Sequence, residues 1–135
     1  MEQTISKSPG ITLNLDEVTD LILKYAHYWD REALKQAIAL HEKYKTLLVV
    51  YDNDKIAGVC RWNILPSGKV AHILDIVIEE KYRGTGLLQR MLLRGLEMYP
   101  DVKDLMFERM YPSNNAKKPM KRIPVKDFFR EYKGA

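Results

Sequence analysis

The amino-acid sequence predicts an α/β (α+β) domain with the element order ααβββαβ around a mixed sheet. Three observations carry that prediction. Apolar residues recur at helical spacing from about position 15 to 44, they then switch to the alternation and apolar runs of strands, and one strong helical pattern returns after Gly86. A length of 135 residues leaves room for one domain, spanning 1–135, and 46% hydrophobic with 30% charged residues suits a folded core rather than a disordered chain.

Asn14 marks the first helix start, since Glu17 stands three residues on and Leu13 and Val18 are placed to staple the first turn. Val18, Leu21, Ile22 and Tyr25 continue one face of a helix over about 15–28, and Tyr25, Tyr28 and Trp29 read as core or pocket wall. Asp30 restarts the pattern, and Leu34, Ala37, Ile38 and His41 share a face of a second helix over about 31–44. Thr46 to Tyr51, the turn Asp52-Asn53-Asp54 and Lys55 to Ile64 together predict a hairpin. After the turn Pro66-Ser67-Gly68, Val70 to Ile78 is nearly all apolar, as in a strand buried on both faces. Gly86 to Tyr99 predicts a helix with Leu88, Met91, Leu92 and Leu96 inward, and Leu105 to Met110 a fourth strand. The remainder is polar and broken by Pro112, Pro119 and Pro124, with a short helix near Lys126–Tyr132.

Cys60 is the only cysteine, so the chain forms no internal disulfide and no cysteine-rich zinc site, which favours a reducing, cytoplasmic location. It also lacks evident His/Asp partners for nucleophilic work. His27, His41 and His72 are too scattered for a metal site. The start Met1-Glu2-Gln3-Thr4-Ile5-Ser6 has neither a basic region nor an apolar run, and so reads as neither signal peptide nor membrane span. The net charge of +4 is carried by the last quarter, where nine Lys/Arg stand against five Asp/Glu from Asp101 onward, with Lys117, Lys118, Lys121 and Arg122 at its centre. Such a segment is either a solvated tail or a contact for an anionic partner.

The chemistry is concentrated in Asp75 to Leu88, where a buried strand ends, a loop with Gly84 and Gly86 follows, and a helix begins. Glycines let backbone N–H groups converge, and a helix N-terminus adds partial positive charge there, a geometry suited to a pyrophosphate with Arg83 beside it. The same glycines would also serve a plain tight turn. A P-loop would end in Gly-Lys-Ser/Thr, which is absent. A dinucleotide fingerprint would place three glycines directly after the strand, whereas Glu79 to Arg83 intervene here.

This stretch resembles the coenzyme A signature of the GNAT superfamily of N-acyltransferases, Arg/Gln-x-x-Gly-x-Gly/Ala after an apolar strand. Arg83 and Gly86 match its first two fixed positions, Gly84 fits the frequent Arg-Gly-x-Gly form, and Asp75-Ile76-x-Ile78 resembles the usual strand end. Leu88 departs from the pattern; it keeps its backbone N–H but brings bulk towards the phosphates. The resemblance covers roughly residues 13–110 and implies a mixed, mostly antiparallel central sheet flanked by helices, with a reduced C-terminus. It implies acetyl-CoA as co-substrate without a metal. The backbone at Ile76 and Ile78 would pair with the pantetheine arm, and the N–H groups of Arg83, Gly84, Thr85, Gly86, Leu87 and Leu88 would hold the pyrophosphate. The thioester would lie beside the middle of the Val70–Ile78 strand, open to an amine.

An amine must lose a proton before it attacks, and imidazoles titrate in the useful range. His72 is the first candidate base, six residues before Ile78 and on the same side by two-residue alternation, with Asp75 on the opposite face. Glu79 and Glu80 at the strand end are rivals. For the leaving-group acid the family often uses a tyrosine, and Tyr111 and Tyr132 are the available ones. The acceptor amine, on a small molecule or a protein, is not encoded in a readable motif, and a homodimer is left open. Two other classes remain: a non-catalytic GNAT-fold module that binds coenzyme A or a protein, and a nucleic-acid binder working through the basic tail. The tail has few interleaved aromatics to support the last.

Overall fold

A computed structural model describes residues 4–5, 13–107 and 121–131. Helix α1 (Leu15–Tyr25) starts where the sequence places it, with the Asn14 side chain accepting a hydrogen bond from the Glu17 N–H at 3.1 Å. Helix α2 (Arg31–Lys43) starts on Asp30, which accepts from the Ala33 N–H at 3.1 Å. Caps of this kind contribute about 1 kcal/mol each. Acidic residues in the first turns and basic ones in the last, such as Asp16 and Lys24 in α1, also oppose the helix dipoles.

Strand β1 (Thr4–Ile5) pairs with β2 (Leu47–Asp52), which forms a hairpin with β3 (Lys55–Ile64), and β4 (Val70–Ile78) adds beside β3. Helix α3 (Leu87–Glu97) then crosses over to β5 (Asp104–Phe107), which lies parallel to β4 as a crossover connection permits. Strand β6 (Lys121–Pro124) pairs antiparallel with β5 and leads into α4 (Val125–Glu131). Among the described residues the sheet therefore runs in sequence order with one parallel pair, the mixed and mostly antiparallel arrangement expected. Beyond the predicted order stand β1 and β6, while α4 lies on the predicted short helix. The four residues of β6 include one buried apolar side chain, Ile123, and its conformation is set by the ladder to β5 rather than by its own pattern.

Two cores sandwich the sheet. On one face Leu48, Val50, Cys60, Trp62, Ala71, Ile73 and Ile78 pack with Leu87, Met91 and Leu92 of α3 and Phe128 of α4. On the other, Val49, Tyr51, Val59 and Val77 meet Val18, Leu21, Ile22, Leu34 and Ile38 of α1 and α2. Strand β4, between them, is buried on both sides as its apolar run predicts. Among the described residues no helix is long and apolar enough to cross a membrane.

One irregularity in β4 corrects two of the expectations. Arg61 pairs with Asp75 and Trp62 with Ile73, so Leu74 is an extra residue without a partner on β3. Such a bulge reverses the alternation beyond it. Ala71, Ile73, Ile76 and Ile78 all pack in the core under α3, while Asp75 and Val77 face α1 and α2. By alternation with Ala71 and Ile73, His72 lies on the α1–α2 face. It therefore shares a side with Asp75, and not with Ile78. A third correction concerns Trp29, which is 89% exposed in the α1–α2 loop, edge-on to His27, and is no part of the core.

Candidate coenzyme A site

The end of β4 and the start of α3 form a built concavity. A short 3-10 turn, Glu80–Tyr82, follows the strand, and Gly84 and Gly86 then take left-handed backbone angles, φ +79° and +80°. L-residues with a Cβ adopt these angles at a cost of about 1–2 kcal/mol, which explains glycine at both positions. Gly86 is also the residue before α3, and no side chain among the described residues caps that helix. The first N–H groups of an α-helix have no partner within it, so the opening of α3 presents donors and its dipole to the loop. A Cβ built at Gly84 would meet no atom within 4 Å among the described residues beyond its chain neighbours. These features fit a pyrophosphate.

The side chains around the loop are tied to the fold. Arg83 is exposed, with its guanidinium 4.8 Å from the Tyr25 ring centre and its Nε donating to the Ile78 carbonyl at 3.2 Å. That carbonyl, which the resemblance offers to a pantetheine arm, is thus already engaged. The Thr85 hydroxyl donates to the Tyr82 carbonyl at 2.6 Å, and Arg90 Nη1 donates to the Thr85 carbonyl at 3.0 Å. Leu88, the departure from the family pattern, is half-buried and packs against the core, which turns its bulk inward and away from the open side of the loop. Leu87 is fully buried.

Glu79 accepts hydrogen bonds from Lys24 Nζ at 2.9 Å and from the Tyr25 hydroxyl at 2.8 Å. The bond from Lys24 above all, then that from Tyr25, holds its carboxyl below the usual carboxylate range, which makes it a weaker base. His72 stands in register between Asn63 of β3 and Met106 of β5. The pairing of β4 with β5 covers Val70 to Ile73 against Asp104 to Phe107, and positions 108–120 lie outside the described residues. The bulge at Leu74 comes two residues after His72. Tyr111 and Tyr132 lie outside the described residues, as do Lys117 and Lys118.

Beside the bulge lies a buried network that the sequence reading missed. Arg61 Nη2 is 2.6 Å and Nε 2.8 Å from Asp75 Oδ2, and both residues are buried. The Tyr28 hydroxyl donates to Asp75 Oδ1 at 2.6 Å and accepts from Arg61 Nη2 at 3.0 Å. Burial, then the bond to Asp75, pushes the Tyr28 phenol up to about 12. The signal was present: one arginine and one aspartate in otherwise apolar strands need partners when buried. Their pairing depends on register, which sequence spacing does not state. Cys60 is buried, and burial pushes its thiol up, consistent with a packing role. It lines an apolar crevice between α3 and the sheet with Trp62, Met91 and Tyr99, which shares no residue with the glycine loop.

Comparison with known proteins bears on this arrangement. The ribosomal-protein-alanine N-acetyltransferase of Escherichia coli superposes with a TM-score of 0.61 at 17% identity, over 84% of this chain and 70% of that one. Ard1 from Thermoplasma volcanium gives 0.61 at 13% identity, over 97% and 81%. The diaminobutyrate acetyltransferase EctA from Paenibacillus lautus, solved with its substrate and coenzyme A, gives 0.62 at 15%, over 84% and 68%. At these identities the likeness is one of fold. No curated protein matches by sequence. The profile of the acetyltransferase (GNAT) family, however, matches residues 15–118, from the first turn of α1 past the end of β5. The chain that folds into this loop, strand and helix therefore belongs to the GNAT family of acetyltransferases.

Proposed function

We propose that the protein is an acetyl-CoA-dependent N-acetyltransferase that acetylates an amine by direct attack. The observation that supports this most is the uncapped start of α3 behind two left-handed glycines at the end of β4. The backbone from Arg83 to Leu88 would hold the pyrophosphate, and the end of β4 would receive the pantetheine arm, chiefly at Ile76 since Arg83 donates to the Ile78 carbonyl. In the reaction a neutral amine forms the new C–N bond at the acetyl carbonyl, the C–S bond breaks, and the proton lost by the amine balances that gained by the leaving thiolate.

His72 is the proposed base, because it stands in the middle of β4 and, by alternation, on the face that carries α1 and α2. Glu79, weakened as a base by Lys24 and Tyr25, is better suited to fixing α1 against the strand end. Tyr111 remains the proposed acid. The acceptor is an amine of a small molecule or of a protein. A single buried cysteine suits a cytoplasmic setting.

Acetyl-CoA at 100 times its Kd should stabilise the fold by about 2.7 kcal/mol. Arg83→Glu, which reverses the charge beside the loop, should remove most of that stabilisation. No melting shift at millimolar acetyl-CoA would overturn the proposal. Release of free thiol across a panel of amines separates an enzyme from an inert coenzyme A binder.

A further inference from the structure

A loop with two left-handed glycines is intrinsically loose, because glycine loses the most conformational freedom on ordering. Its N–H groups converge on one anion only if the rest of the fold restrains it. Within the segment from Glu79 to Gly86, one side chain is buried, that of Tyr82, between exposed Lys81 and Arg83. The Tyr82 hydroxyl donates to Asp52 Oδ2, and Asp52 is itself buried at the end of β2. The main chain of Tyr82 is held as well, its N–H donating to the Glu79 carbonyl at 2.9 Å. Its carbonyl accepts the Thr85 hydroxyl, and the Thr85 carbonyl accepts Arg90. A continuous chain of hydrogen bonds thus runs from the β2–β3 hairpin through Tyr82 and Thr85 to the first turn of α3, spanning both glycines.

We propose that the Asp52–Tyr82 pair is a positioning device for the coenzyme A loop: it anchors the segment through Tyr82, and Thr85 transmits that anchor to the stretch between Gly84 and Gly86. The inference rests on the proposed coenzyme A site and adds to it residues that touch no ligand. Asp52 has a second consequence. Its carboxylate would oppose a nearby pyrophosphate, and the Tyr82 ring and hydroxyl stand between it and the loop. Arg83→Glu acts on the ligand's charge; Tyr82→Phe acts on the loop's order.

The test compares coenzyme A affinity, by titration calorimetry, with backbone amide exchange in the free protein. Tyr82→Phe should weaken coenzyme A binding about five- to tenfold, the loss of one buried hydrogen bond. It should speed exchange at Gly84, Thr85 and Gly86 while leaving α1, α2 and β3 protected. Asp52→Asn keeps an acceptor oxygen for the phenol and should bind within about twofold of the wild type, whereas Asp52→Ala should match Tyr82→Phe. Thr85→Ala, at an exposed position, removes the relay without disturbing the core and should weaken binding likewise. Unchanged affinity in both Tyr82→Phe and Thr85→Ala, with a wild type that binds, would overturn this inference alone. So would a loss of exchange protection spread evenly over the whole fold. Failure of the wild type to bind coenzyme A would overturn the proposed site and this inference together.

Discussion

Arg61 and Asp75 face each other on neighbouring strands as a buried ion pair, with the Tyr28 hydroxyl bonded to both. Removing one partner strands the other in a low-dielectric interior. Arg61→Met should therefore cost about 3–5 kcal/mol in denaturant unfolding. The double variant Arg61→Met/Asp75→Leu should recover much of that loss, because a buried pair replaced by apolar groups is often nearly neutral. Tyr28 adds a pH signature. Its folded pKa is raised from 10.0 to about 12, so the phenol stays protonated in the folded chain where the unfolded chain has lost its proton. Stability from this group is whole below pH 10 and falls as pH rises towards 12. Unfolding free energies measured from pH 9 to 12 should show that decline, and Tyr28→Phe should flatten it.

At the scale of elements, β4 organises the site. The bulge at Leu74 turns Asp75 towards α1 and α2 while keeping Ile76 and Ile78 under α3. Alternation counted along the sequence predicts the wrong face for His72, because one unpaired residue resets the period. Helix α3 is seated by a close approach at Gly58, where a Cβ would lie 3.0 Å from Met91 Sδ and 3.1 Å from the Val77 carbonyl. The thioether can move, but the strand carbonyl cannot. Gly58→Ala should cost about 1–3 kcal/mol and shift α3 away from β3, seen as a lower denaturant midpoint and weaker coenzyme A binding.

For the whole molecule, the measurable property is ligand linkage. A stabilisation of about 2.7 kcal/mol by acetyl-CoA corresponds, for a domain of this size, to a rise in Tm of roughly 5–10 °C. The layered fold makes that linkage global, since the loop is attached to β2 through Tyr82, to α1 through Glu79 and Arg83, and to α3 directly. The parts of the site were unequally legible. Arg83, Gly84 and Gly86 stood out, because a phosphate loop is local and its backbone needs are written in consecutive residues. Tyr82 and Asp52 are 30 positions apart, and Arg61 and Asp75 are 14 apart. Neither pair shows a spacing that distinguishes it from a solvated polar residue.

The sequence by itself determined both main helix starts, the hairpin, the buried β4, the glycine loop and through them the family. Each of these depends on interactions among residues a few positions apart: caps, turns and periodicity. Tertiary structure alone decided which face His72 takes, where Trp29 lies, what Glu79 holds, and which partners the buried charges find. Those outcomes depend on strand register and on the meeting of distant segments, where a single bulge changes every neighbour that follows.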